Sequence, residues 1–74
     1  MNHDLSQAWM NAEPIAGVLF SLNEYIRITD GPEAGKYGYA MSLLAVEPHV
    51  VFLVELSGTG LDVQVSQGSM QRVT

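Results

Sequence analysis

Seventy-four residues with no cysteine make one small domain that no disulfide or thiolate metal site can stiffen. Eight acidic residues against three basic ones leave a net charge of −5, which argues against a broad phosphate-binding surface and against anionic membranes. An apolar fraction of 47% is too high for disorder, and the longest apolar run, Ile15 to Phe20, falls far short of the roughly 20 residues that span a bilayer.

No lysine or arginine precedes Arg27, and Asp4 and Glu13 stand where a secretory signal carries its charged and apolar regions. The expected location is the cytoplasm. Residues 1–22 read as an arm. Leu5, Ala8, Trp9 and Ala12 recur at spacings of three and four, so they share one face of a short helix that Asp4 or Ser6 caps. Such a helix is marginal alone, and something must bury its face. Trp9 is the largest apolar group on it. It packs either on its own domain or on another chain. Pro14 stops the helix. Ile15 to Leu22 is open between helix and strand.

Residues 23–74 read as strands. Tyr25 to Asp30 alternates, with Ile26 and Ile28 on one face and Tyr25, Arg27 and Thr29 on the other. Gly31, Pro32 and Gly35 belong to a loop in which proline fixes one backbone angle and Gly35 can take a positive φ. Lys36 to Leu44 is a second strand. Gly38, Ala40 and Ser42 share one face, and Tyr37, Tyr39, Met41 and Leu43 the other. Gly38 inside a strand signals a bend or a close backbone approach. Glu47 to His49 is a turn. Val50 to Leu56 is the most strand-like run, with Phe52, Val54 and Leu56 inward and Val51, Leu53 and Glu55 outward. Ser57 to Gly60 is a hairpin loop. Leu61 to Ser66 alternates, with Leu61, Val63 and Val65 inward. Met70 to Val73 is a last strand or a 3₁₀ turn. The expected fold is all-β: a small barrel of four to five antiparallel strands with a short N-terminal helical arm.

The run from Ile26 through Gly31, Pro32 and Gly35 to Gly38 resembles the KOW motif of the SH3-like barrel family found in ribosomal proteins and NusG-type transcription factors. Phe52 to Leu56, the Ser57-Gly58 turn and Val63 to Val65 resemble the second half of such barrels. The likeness spans about residues 23 to 73 and leaves out the arm. It implies that Gly31, Pro32, Gly35 and Gly38 carry the loop geometry and that Lys36 holds a position often basic in the family. Ala40 stands where a larger aliphatic residue is common. The loops lack the extra lysines and arginines through which relatives touch RNA, which shifts the expectation towards protein partners.

Candidate chemistry is sparse. Gly31 to Lys36 is one residue short of a phosphate loop, and no serine or threonine follows Lys36. His3 and His49, even with Asp4 or Glu47, lack a recognisable zinc spacing, so no metal and no cofactor is expected. No nucleophile sits in a strand–turn–helix elbow, so no catalytic residue is expected. The outer sheet face is more informative. The resemblance implies that Gly38 and Ala40 face inward, so Tyr37, Tyr39, Met41, Val51 and Leu53 together form an outer apolar patch, which marks an interface unless the arm covers it. The expected function is a non-enzymatic interaction module. It binds a protein partner or a second copy of itself through that face and Trp9, with the acidic charge favouring a basic partner. The alternative is a nucleic-acid-associated factor of translation or transcription, for which Arg27, Lys36 and Arg72 must converge.

Overall fold

Alternation of apolar side chains builds most of this chain. The computed structural model describes residues 3–73. One helix, α1 (His3–Met10), precedes five strands: β1 (Tyr25–Ile28), β2 (Tyr37–Ala45), β3 (Val51–Leu56), β4 (Asp62–Ser66) and β5 (Met70–Arg72). All pairings are antiparallel, in the order β4-β3-β2-β1-β5 within one sheet. The last segment holds both expected alternatives, because a 3₁₀ turn at Gln67–Ser69 leads into β5. The Glu47–Pro48 peptide between β2 and β3 is cis. No described helix is long and apolar enough to cross a membrane.

The β1–β2 hairpin closes through backbone bonds. Gly35 N–H donates to the Ile28 carbonyl at 2.7 Å, and Ile28 N–H to the Lys36 carbonyl at 2.8 Å. Gly35 takes φ 91°, a conformation that costs a side-chain-bearing residue strain. Gly38 is needed for another reason. A Cβ there would meet the Glu55 carbonyl oxygen at 2.5 Å and Val54 Cγ1 at 2.8 Å. Strand β3 thus lies so close to β2 here that only glycine fits.

Two irregularities in β2 correct the simple alternation. Ala40 pairs with Val54 but Ser42 with Leu53, which leaves Met41 as an extra residue; a second shift follows between Leu43 and Ala45. Such a bulge reverses which side chains face inward. Leu43, expected beside the tyrosines, is therefore buried, and Ser42 leaves the inner face to pair with outward-facing Leu53.

A flat five-stranded sheet holds its edges about 19 Å apart, four strand spacings of about 4.8 Å. Here the two edge strands, β4 and β5, are joined only by the Gln67–Ser69 turn. The four Cα steps from Ser66 to Met70 reach at most about 15 Å. The sheet therefore curls strongly. No ladder pairs β4 with β5, so it remains open.

The inner face buries Ile26, Ile28, Ala40, Leu43, Phe52, Val54, Leu56, Val65 and Met70. The arm completes this core. Trp9 is only 3% exposed, and its ring lies 5.5 Å from that of Phe52, while Phe20 meets Phe52 edge-on at 5.9 Å. The Trp9 indole N–H donates to the Phe20 carbonyl at 2.7 Å. A radius of gyration of 11.4 Å matches the roughly 11 Å of a compact chain this long, so the arm is folded in.

The helix ends ahead of Pro14 by a Schellman-type closure. Glu13 N–H donates to the Ala8 carbonyl at 2.9 Å and Ala12 N–H to the Trp9 carbonyl at 3.0 Å, with Ala12 at φ 62°. Ser6 lies inside the helix rather than capping it. The expected cap at Asp4 concerns a side chain outside the described ones.

Residues 15–22 are neither helix nor strand. Their backbone is held by side chains from the far end of the sequence instead. Leu19 N–H donates to Gln67 Oε1 at 2.8 Å, Gln67 Nε2 donates to the Gly17 carbonyl at 2.9 Å, and Arg72 donates to the Leu19 carbonyl. These bonds satisfy polar groups that a ladder normally satisfies.

Arg72 also pairs with Glu24. The hydrogen bond from Arg72 holds the Glu24 carboxyl below the usual carboxylate range; burial opposes this, and the Ser21 N–H adds to it. A depressed folded pKa contributes stability above the unfolded value, about pH 4.3, and that stability fades as pH falls through the folded value. Glu24→Gln should therefore melt below wild type at pH 7, and the gap should close under acid. Paired thermal melts from pH 7 to pH 3 check this; a gap that does not change with pH contradicts it.

Candidate functional site

The hairpin register collects three tyrosines on the outer face. Tyr25 lies opposite Tyr39, and Arg27 opposite Tyr37. The Tyr25 ring stacks on Tyr37 at 5.7 Å and 17°, and packs against Tyr39 at 4.9 Å and 46°. Tyr37 and Tyr39 each remain 41% exposed. The rings pack against one another, which restricts their rotamers. Tyr25 is half-buried beneath this pair and was not anticipated from sequence.

Further along the face, Met41 at the bulge and Leu53 on β3 are half-buried. Glu55 lies directly opposite Tyr39, and Asp62 directly opposite Glu55. Like charges facing across a ladder are destabilising. Among the described residues neither carboxylate has an ion-pair partner. The tyrosines therefore border an uncompensated negative strip.

A cleft of ≈ 400 Å³ opens beside Tyr37. Tyr25, Tyr37, Leu56, Leu61 and Val63 supply its apolar lining, and Ser57, Thr59, Glu33 and Lys36 the rest. Leu61 was expected to face the core. It is instead 64% exposed, because it lies just before β4 at the end of the β3–β4 hairpin, where Leu56 N–H donates to its carbonyl.

The arm does not cover this surface. Trp9, expected among the contact residues, lies in the core against Phe52, on the opposite side of the sheet from the tyrosines. It is a residue of the fold. The glycines lie where the loop needs them, with Gly31 and Gly35 at φ 85° and 91° on either side of Pro32, and Gly38 under β3.

Arg27, Lys36 and Arg72 do not form one patch. Lys36 Nζ pairs with Glu33 at 2.6 Å. Arg72 is held by Glu24 and lies over the Phe20 ring at 5.3 Å. It stands opposite inward-facing Ile26, whereas Arg27 stands opposite Gln71 and Tyr37. Alternation thus sends the two arginines to opposite faces.

No protein-family model and no curated protein matches this chain.

Proposed function

We propose that this protein is a non-enzymatic interaction module that acts in the cytoplasm. It binds a protein partner, or a second copy of itself, through the face formed by Tyr37, Tyr39, Met41 and Leu53. The observation that carries this reading is the mutually packed tyrosine group, left exposed while the chain's only tryptophan is buried. Monomeric surfaces seldom keep a rigid aromatic cluster open, and tyrosine and methionine concentrate at interfaces.

We read the fold as an SH3-like barrel related to the KOW family. The meander β1 to β4, the return of β5 onto β1 and the strong curl support it. The glycine loop supports it as well. The same scaffold also suits factors that touch RNA, but here the separation of Arg27 from Arg72 and the net charge of −5 favour a protein partner.

Comparative affinity capture tests the reading, with wild type and Tyr39→Ala as baits and sedimentation velocity run on both. Tyr39 lies outside the core at 41% exposure, and matching circular dichroism spectra of the two baits check that the fold is kept. The expected result is loss of the captured protein, or of self-association, in the variant. Equal recovery and equal sedimentation contradict the assignment of the face.

A further inference from the structure

We infer that the cleft between Tyr37 and Leu61 receives an apolar side chain from a basic partner segment, whose neighbouring lysine or arginine lies on the Glu55–Asp62 strip. This inference rests on the interaction reading above and names the chemistry of the partner.

Three observations lead to it. The first is size and lining. At ≈ 400 Å³ the cleft falls within the range of ligand pockets, roughly 300–1,000 Å³, and is large enough for one leucine-sized or aromatic group. Its apolar lining is unusual for its position. Leu61 lies between the 57–59 turn and β4 with 64% of its surface in water, where nothing in the fold requires a large apolar residue. Leu56 and Val63 carry the apolar surface from the core edge out to it. A side chain seated there buries surface that the folded chain leaves wet.

The second observation is charge. Leu61 and Val63 flank Asp62 in sequence, and Leu56 follows Glu55, so the cleft and the negative strip share the ends of β3 and β4. The Glu55–Asp62 pairing places two carboxylates opposite each other with no described cation against them. A partner's cation relieves that repulsion on binding, which selects basic over acidic segments. Of the cations near the tyrosines, Lys36 lines the cleft but is paired with Glu33, and Arg27 lies on the β1 side of Tyr37, away from β4. Its placement directs a partner's positive group towards Glu55 and Asp62.

The third is rigidity. Tyr37 forms one wall and is stacked on Tyr25. Ser57 N–H donates to the Tyr37 carbonyl at 2.8 Å, tying the β3–β4 turn to β2. The walls are set before a ligand arrives, so little ordering cost falls on binding.

The test titrates ¹⁵N-labelled protein with acetyl-Lys-Leu-Lys-amide, acetyl-Lys-Ala-Lys-amide and acetyl-Glu-Leu-Glu-amide. The inference expects the lysine–leucine peptide to shift the amides of Ser57, Thr59, Leu61 and Val63. Exchanging leucine for alanine should weaken binding roughly tenfold, in line with the apolar area lost. The glutamate peptide should not bind. Leu61→Ser, an exposed substitution whose spectrum reports an intact fold, should abolish the cleft shifts, and Glu55→Gln with Asp62→Asn should remove the salt dependence. Shifts centred on Tyr39 and equal for the leucine and alanine peptides overturn the anchor cleft but leave the interaction face standing. Equal binding of the glutamate peptide overturns the choice of a basic partner. No shift with any peptide overturns the cleft, and the Tyr39→Ala capture then decides the face separately.

Discussion

Trp9→Ala is expected to bring the chain close to unfolding at room temperature. A domain of this length holds roughly 4–11 kcal/mol of net stability, at about 0.05–0.15 kcal/mol per residue. Truncating a buried tryptophan costs about 3–5 kcal/mol, because the surroundings close only partly over the cavity. Trp9 carries a further term. Its indole N–H is the partner of the Phe20 carbonyl, in a segment with no ladder of its own. Loss of that donor leaves a buried carbonyl unsatisfied, at about 1–3 kcal/mol. Trp9→Phe separates the two terms, since it keeps most of the packing on Phe52 and loses the hydrogen bond. Circular dichroism melts should show a Tm lower by more than about 12 °C for Trp9→Ala, with Trp9→Phe between it and wild type. A Tm within about 4 °C of wild type for Trp9→Ala contradicts the place of the arm in the core.

Gly38→Ala is the second large effect. The clash it creates is with backbone. The added methyl would stand 2.5 Å from the Glu55 carbonyl oxygen, and that strand cannot retreat without breaking its pairing with β2. Overpacking of this kind costs about 1–3 kcal/mol where side chains can yield, and more where they cannot. Gly68→Ala is the control, because a Cβ there meets nothing within 4 Å. Urea unfolding should show a clear loss of midpoint for Gly38→Ala and a change within about 0.5 kcal/mol for Gly68→Ala. Equal effects contradict the close approach.

The strands and the close approach at Gly38 were legible because each rests on a local signal. Alternation put Ile26 with Ile28 and Phe52 with Val54 on shared faces, which are buried, and a glycine between two tyrosines marked the close approach. The bulge at Met41 had no such signal. It is fixed by how β2 meets β3, and it alone decides that Leu43 is buried. Residues 15–22 were illegible for a similar reason, since Gln67 and Arg72, some 50 positions away, satisfy their backbone. Of the candidate site, Tyr37 and Tyr39 were readable from β2 alone. Tyr25 was available in principle: a hairpin centred on Pro32 puts position 25 against 39. Trp9 was left open between its own domain and another chain because helical periodicity shows that a face is buried without showing what buries it; it lies in the core.

Residue-resolved oxidative footprinting of the free chain and of its captured complex or self-associated form tests whether the outer tyrosine face is the binding surface. The account predicts that Tyr37 and Tyr39 react readily in the free chain and are protected in the complex, with Trp9 protected in both. Equal reactivity of Tyr37 and Tyr39 in the free and bound forms would contradict it.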